Sequence, residues 1–191
     1  MPRVIFNTAY TIDGFIADEH DGLDWLFAVP GAAEAESGFA AFLDGVGAIV
    51  MGSTTYRWIL EHDDLLEHPE RWTASYGDRP AVVLSSRSLP SVPGADVRIV
   101  AASVTELWPA LVAAAGDRDV WLVGGGDLAG QFADAGLLHE VRLSVAPAAL
   151  GAGRPLLPRR LGSDRLRLRS AIAAGQFAEL VYDVSPPVVP E

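Results

Sequence analysis

The order of strand-like and helix-like segments constrains this chain more than any other feature. Up to about Gly136 the two kinds alternate, and from Glu140 onward only strand-like segments follow. Short apolar runs bounded by turn residues ("AIVMG", "AVVLSS", "VRIVA", "VWLVG") read as buried strands. Between them lie helical segments. Ser37 offers a cap to "GFAAFLDGV", and "STTYRWILE" begins with hydroxyl residues. Ser103 and Glu106 form a capping-box pattern before "VTELWPALVAAAG", with Pro109 inside it. "DLAGQFADAG" is the last helix. The first strand region, "RVIFNTAYTIDGFIA", contains an Asp13-Gly14 turn. Alternating strands and helices build a parallel sheet covered on both faces. The closing run "EVRLSVAPAAL", "RLRLRSAIAA", "FAELVYDV" then adds antiparallel strands, with Gly175 and Gln176 at a hairpin turn. The expected fold is one three-layer α/β/α domain over residues 1–185. Its central sheet is mixed and mostly parallel, it ends in an antiparallel hairpin, and a Pro-rich tail follows at 186–191.

Composition removes several function classes. The chain has 191 residues, enough for one substantial core, and no repeat or composition break marks a second domain. It has no cysteine, which excludes disulfides, thiolate metal sites and cysteine nucleophiles. His20, His62, His68 and His139 show no metal-ligand spacing, so no metal is expected. No Gly-x-Ser-x-Gly elbow supports a serine hydrolase. No apolar run is long enough to span a bilayer, and Asn7 and Asp13 stand where a signal peptide needs hydrophobes, so a cytoplasmic location is expected. The net charge is −11 with no basic stripe, which argues against nucleic-acid binding. A phosphate-bearing ligand must therefore be held locally, against the overall field.

Three strand ends offer such local sites. In "VWLVGGGDL", Gly124, Gly125 and Gly126 lie between a strand and a helix start, where unpaired N–H groups and a partial positive charge suit a phosphate. One glycine suffices for a tight turn; three favour close approach of a ligand or of another backbone. The Gly-x-Gly-x-x-Ala spacing also fits a Rossmann fingerprint, but it comes late in the chain, and mostly strands follow. In "VMGSTTYRW", Gly52 ends a strand and Ser53, Thr54 and Thr55 open a helix without the Lys of a P-loop. In "LSSRS", Ser85 and Ser86 close a strand with Arg87 beside them, a natural partner for a phosphate monoester. Each alone is an ordinary cap or surface residue. Together, at the carboxyl edge of one sheet, they suit an extended ligand with several phosphates. The polar segment 62–79, "HDDLLEHPERWTASYGDR", reads either as a lid or binding loop or as a solvated insertion with a short helix.

The stretches "NTAYTIDGFIA", "DGLDWL", "IVMGSTTY", "WLVGGGDL" and "VAPAALGAGRPLL", in this order, resemble the dihydrofolate reductase-like superfamily. The nearest branch is the reductase domain of the bifunctional riboflavin-biosynthesis deaminase–reductase, and the likeness runs from Arg3 to about Asp183. The resemblance implies NADPH as cofactor. It places Gly52, Ser53, Thr54 and Thr55 at the adenosine-side phosphates, with Ser85, Ser86 and Arg87 at the adenosine ribose and its 2′-phosphate. It places Gly124, Gly125, Gly126, Asp127 and Leu128 at the pyrophosphate and nicotinamide side, with Ala9 and Ile16 lining the nicotinamide pocket.

The substrate side departs from that family. Where those reductases read Lys-x-Ala-x-Ser-x-Asp-Gly, this chain has Asn7 in place of the Lys and Thr11 in place of the Ser. With no cysteine to serve as a zinc ligand, these residues are not expected to hold the deaminase half. Trp25 falls where the family's loop borders the substrate and can stack on a flat heterocycle or serve as core. Asp13 matches the recurrent Asp-Gly, and Glu36 is the position reached by counting back from "VMG". These two, with Tyr10, Thr11 and water, are the candidate proton sources, Asp13 ahead of Glu36. The expected activity is an NADPH-dependent hydride transfer to a small nitrogen heterocycle, with a non-catalytic NADP(H)-binding protein as the rival. Apart from a small-molecule substrate, the expected partner is a second copy of the chain, joined through the C-terminal β region as in related reductase domains.

Overall fold

A computed structural model covers the chain; the described residues are 1–187, with the side chains of 32–37 excluded. The expected helix at Ser37 begins earlier, at Ala32, with Gly31 at its N-cap. The side chains of Glu36 and Ser37, and most of the 186–191 tail, lie outside the described residues.

In chain order the elements are β1 (Val4–Thr11), β2 (Phe15–Ala17), α1 (Asp24–Phe27), α2 (Ala32–Asp44), β3 (Val46–Gly52), α3 (Ser53–His62) and α4 (Glu70–Tyr76). There follow β4 (Ala81–Leu84), β5 (Val97–Val100), α5 (Val104–Ala115), β6 (Asp119–Gly124) and α6 (Gly126–Asp134). The chain closes with β7 (Glu140–Ala146), β8 (Arg154–Pro155), β9 (Leu166–Ala174) and β10 (Phe177–Val184). Eight strands form one sheet in the order β5-β4-β3-β6-β1-β7-β10-β9. The run from β5 to β7 is parallel, and β10 is antiparallel to both β7 and β9. Gly175 takes φ +58° in the final hairpin turn, a conformation that costs glycine little.

Side-chain alternation along the strands divides the core into two layers. Ile5, Ile49, Met51 and Trp121 face Phe42 of α2, Tyr56 and Ile59 of α3, and Trp72 of α4. Val4, Phe6, Val50, Val120 and Leu122 face Leu107 and Leu111 of α5 and Leu128 and Phe132 of α6. The fold is thus α/β/α with a mostly parallel sheet and an antiparallel C-terminal pair. β3 leads into α3 on one face, and its neighbour β6 leads into α6 on the other. Adjacent strands feeding helices on opposite faces open a crevice at the carboxyl edge of the sheet, where ligands of such folds bind.

The polar segment 62–79 is tied down rather than lid-like. It contains α4, and Leu65 and Trp72 are buried. Arg79 donates to the backbone carbonyls of Val46, Tyr76 and Leu43. A second segment, residues 147–161, crosses the crevice as a strap. Within it β8 pairs with β2, and Leu156 N–H donates to the Gly14 carbonyl at 2.9 Å.

Candidate functional site: a cleft between two helix N-termini

Two cavities lie end to end in this crevice. The larger, about 580 Å³, is walled by Thr8, Ile16, Leu23, Trp58, Tyr76 and Val123, with Gly124, Gly125 and Gly126 at one side. The second, about 460 Å³, is lined by Gly52, Ser53, Ser85, Ser86, Leu128 and Gln131. Thr54, Thr55, Gly125 and Asp127 line both and mark the junction. The cleft therefore runs from the end of β4, past β3 and β6, to β1.

The helix starts at this junction are left open. α5, which follows Ala101 and Ala102 at the rim of the second cavity, is closed by a complete capping box in which Ser103 accepts from Glu106 N–H and Glu106 accepts from Ser103 N–H. α3 and α6 begin at Gly52 and Gly125 with no side-chain cap. Their first N–H groups and partial positive charges remain available to an anion, and the hydroxyls of Ser53, Thr54 and Thr55 stand beside them.

The three glycines have three different neighbours. A Cβ on Gly124 would come within 3.0 Å of the Thr55 hydroxyl, and one on Gly126 within 2.3 Å of the Pro155 carbonyl and 2.5 Å of the Leu156 carbonyl. A Cβ on Gly125 would meet nothing within 4 Å. All three line the larger cavity; Gly124 and Gly126 also make room for the chain's own helix and strap, whereas Gly125 has only open space beside it. The Gly124–Gly125 peptide is cis.

Most of the expected cofactor positions are brought together here: Gly52 to Thr55, Ser85, Ser86, Gly124 to Leu128, and Ile16. Arg87 is exposed next to Ser86 and does not line the cavity; its N–H donates to Ser85 Oγ at 2.9 Å. Ala9 sits within β1, level with Ser144, and lines neither cavity.

The substrate-side expectations are dispersed. Asn7 lines a separate cavity of about 360 Å³ between α2 and the β7–β10–β9 strands, and its carbonyl accepts from Trp121 Nε1 at 3.2 Å. Thr11 is fully buried in the turn, donating to Asp13 and accepting from Phe15 N–H. Trp25 packs with Val29, Ala146 and Phe177 as a small core, its indole N–H buried without a partner among the described residues. Asp13 holds loops rather than substrate. Its carboxylate accepts from Thr11 and from the N–H groups of Gly151 (2.7 Å) and Leu150 (3.0 Å). These bonds, that from Thr11 first, hold its carboxyl below the usual carboxylate range, the reverse of what proton donation near neutral pH requires. Tyr10 lies in β1 and lines neither cavity, with its phenol pushed up by burial.

Several wall residues were not singled out in the sequence. Tyr76 comes from the segment flagged as a possible binding loop; burial, helped by the charge of Asp63, raises its phenol so that it stays a neutral donor. Trp58 lies one helical turn beyond Thr55, a spacing that could have placed it on the cleft side of α3. Its ring stacks on His62 (4.3 Å between centroids), which stacks in turn on Phe27 of α1 (5.3 Å). Arg57 and Arg154 also line the larger cavity, Arg154 paired with Asp21.

An open α/β sheet with two uncapped helix starts at its carboxyl edge has its cleft where ligands of such folds bind. Residues 2–177 match the model of the RibD C-terminal domain, and the chain belongs to that family. It is 27% identical over 180 residues to the uncharacterized protein YwjB of Bacillus subtilis (strain 168), covering 94% of this chain and 97% of that one. A Shewanella sp. PV-4 protein named for riboflavin biosynthesis superposes with a TM-score of 0.75 at 25% identity, over 97% of this chain and 99% of that one. The Thermotoga maritima diaminohydroxyphosphoribosylaminopyrimidine deaminase/5-amino-6-(5-phosphoribosylamino)uracil reductase shares the fold with a TM-score of 0.68 at 14% identity. That match covers 96% of this chain and 56% of the Thermotoga protein. Among the described residues no helix is long and apolar enough to cross a membrane.

Proposed function

We propose that the chain is an NADPH-dependent reductase acting on a small nitrogen heterocycle, pteridine- or aminopyrimidine-like, or on a related small imine or carbonyl. One observation carries this reading. The N-termini of α3 and α6, neither of them closed by a side-chain cap, meet at the junction of the two cavities. A bound NADPH supplies the hydride. Thr54, Thr55 and the N–H groups at Gly125 to Leu128 would hold its pyrophosphate. Ser85, Ser86 and Arg87 would hold its adenosine end, and the wall of Ile16, Val123, Tyr76 and Trp58 would keep water from the reacting end. Membership of the RibD C-terminal family supports an oxidoreductase, and the relatives' names support a riboflavin-type substrate as the first to try.

Protonation of the acceptor is the weaker half of the arrangement. The acids in the cavity walls, Asp21 and Asp127, are both ion-paired, and Asp13 is tied to backbone. Solvent and the neutral Tyr76 phenol are left as donors. That favours keeping a second reading, a non-catalytic NADP(H)-binding protein. Calorimetry with NADPH and NADH comes first: NADPH is expected to bind more tightly, and Arg87→Ala to narrow the difference by roughly ten- to a hundredfold. Loss of nicotinamide absorbance on adding 5-amino-6-(5-phosphoribosylamino)uracil or a dihydropterin then separates the two readings. A wild-type chain that binds neither cofactor at millimolar concentration rules out both.

A further inference from the structure

The junction of the two cavities holds an acid at the very place where the cofactor reading puts phosphates. Asp127 lies in the first turn of α6, lines both cavities, and its side chain is 65% exposed. An uncompensated carboxylate there would repel a pyrophosphate and cancel the positive end of the helix. Its hydrogen bonds, from Gln131 first and also from Arg159, hold its carboxyl below the usual range, so it is not relieved by taking up a proton.

The strap supplies the compensation. Arg159 lies along α6, donating from Nη2 to Asp127 Oδ1 at 2.8 Å and from Nε to Asp134 Oδ2 at 2.9 Å. Gln131 Nε2 donates to the other Asp127 oxygen at 2.9 Å. The path of Arg159 depends on a missing side chain, because a Cβ on Gly130 would lie 2.5 Å from Arg159 Cγ. Four residues earlier on the same helix, Gly126 leaves room for the strap backbone. The strap is thus fitted to α6 at two glycines and fastened by one guanidinium that reaches the cleft junction.

We propose that Arg159 is a positioning residue for the cofactor: by pairing with Asp127 it neutralises that carboxylate and keeps it turned along α6, leaving the helix N-terminus open to a pyrophosphate. This rests on the cofactor reading of the cleft. It predicts a charge effect rather than a packing effect, and that can be tested by rescue.

Binding of NADPH is measured by calorimetry at low and moderate salt for the wild type, R159A, D127N and the D127N/R159A double variant, with thermal unfolding as the check on folding. R159A is expected to weaken binding roughly tenfold, with the deficit shrinking as salt screens the exposed carboxylate. D127N/R159A is expected to return to within about threefold of the wild type, because the repelling charge is gone. R159K, which keeps a cation within reach of the two carboxylates, is expected to stay near the wild type; R159Q, which keeps a long polar side chain without the charge, serves in place of R159A if that variant fails to fold. R159A binding as tightly as wild type overturns the inference. So does a double variant as weak as R159A, or R159K as weak as R159A. A wild type that does not bind NADPH is a different result, and it removes the cofactor reading itself.

Discussion

Gly124, Gly125 and Gly126 look alike in the sequence and do different work in the fold. What was legible was that three side chains are missing at a strand end; which neighbour fills each space was not. The Pro155 and Leu156 carbonyls that crowd Gly126 come from thirty residues further on. Gly126→Ala is therefore expected to destabilise the chain by about 1–3 kcal/mol, since two backbone oxygens must move. Gly125→Ala, facing open space, should unfold like the wild type in urea while binding NADPH more weakly. Equal denaturation midpoints for the two variants would contradict this assignment. Asp13 teaches the same lesson. Its Asp-Gly turn was readable locally, and Gly14 adopts the expected left-handed conformation at φ +92°. The bonds that commit its carboxylate come from Leu150 and Gly151, beyond the reach of any local pattern.

Among the elements, those defined by local rules were the most legible. The α5 capping box, the strand–helix alternation and the terminal hairpin follow from neighbours in sequence. The start of α2 was missed because Gly31, a weaker signal than Ser37, sits at its N-cap. The strand beginning at Glu140 was legible, but the charge cluster at its entry was not, because the cations around Glu140 come from β7, from β9 and from Arg3 just before β1. Fully buried Glu140 accepts from Arg142 and from Arg169 (2.6 Å), and Arg3 lies 2.8 Å away. Burial pushes the Glu140 carboxyl up, but the hydrogen bonds from Arg142 and Arg169 outweigh it and hold it below 4.5. Next to it, His139 Nδ1 accepts from Val4 N–H at 3.0 Å, and burial, then the Arg3 charge, push its imidazole below 6.5. The signs follow from which state holds the proton. Below 6.5 the unfolded chain takes up a proton at His139 that the folded chain refuses, so stability falls as pH drops through that value. Glu140 adds stability above 4.5, and this is lost as pH falls further, through its lowered folded value. Urea denaturation from pH 8 down to about pH 2 should show stability decreasing in both windows. His139→Gln should flatten the first, and Glu140→Gln the second, with Glu140→Gln costing about 1.5–3 kcal/mol at neutral pH. A Glu140→Gln variant as stable as wild type at pH 7 would show that the cluster is only a surface network.

For the whole molecule, the cleft lies over β4, β3, β6 and β1, and the free edge of β9 lies at the far side of the sheet. β9 is long for an edge strand and exposes Leu168 (53%) and Ile172 (61%). Such an edge invites pairing, so we expect a two-fold homodimer through the β9–β10 region. Light scattering at micromolar concentration should give twice the chain mass, and Ile172→Glu should lower it; a wild-type monomer would refute this. The ring stack at the mouth of the larger cavity has a consequence of another kind. Trp58, one of five tryptophans, stacks with His62 and Phe27, packs against the core layer of α3 and lines the larger cavity. Indole emits in the near-ultraviolet band where a reduced nicotinamide absorbs. Excitation of Trp58 would pass to such an occupant and not to its oxidised form. Comparing the quenching of the wild type with that of a Trp58→Phe variant would isolate this one indole. The chain would thus carry its own optical gauge of what fills the cleft and in which redox state, with no label attached.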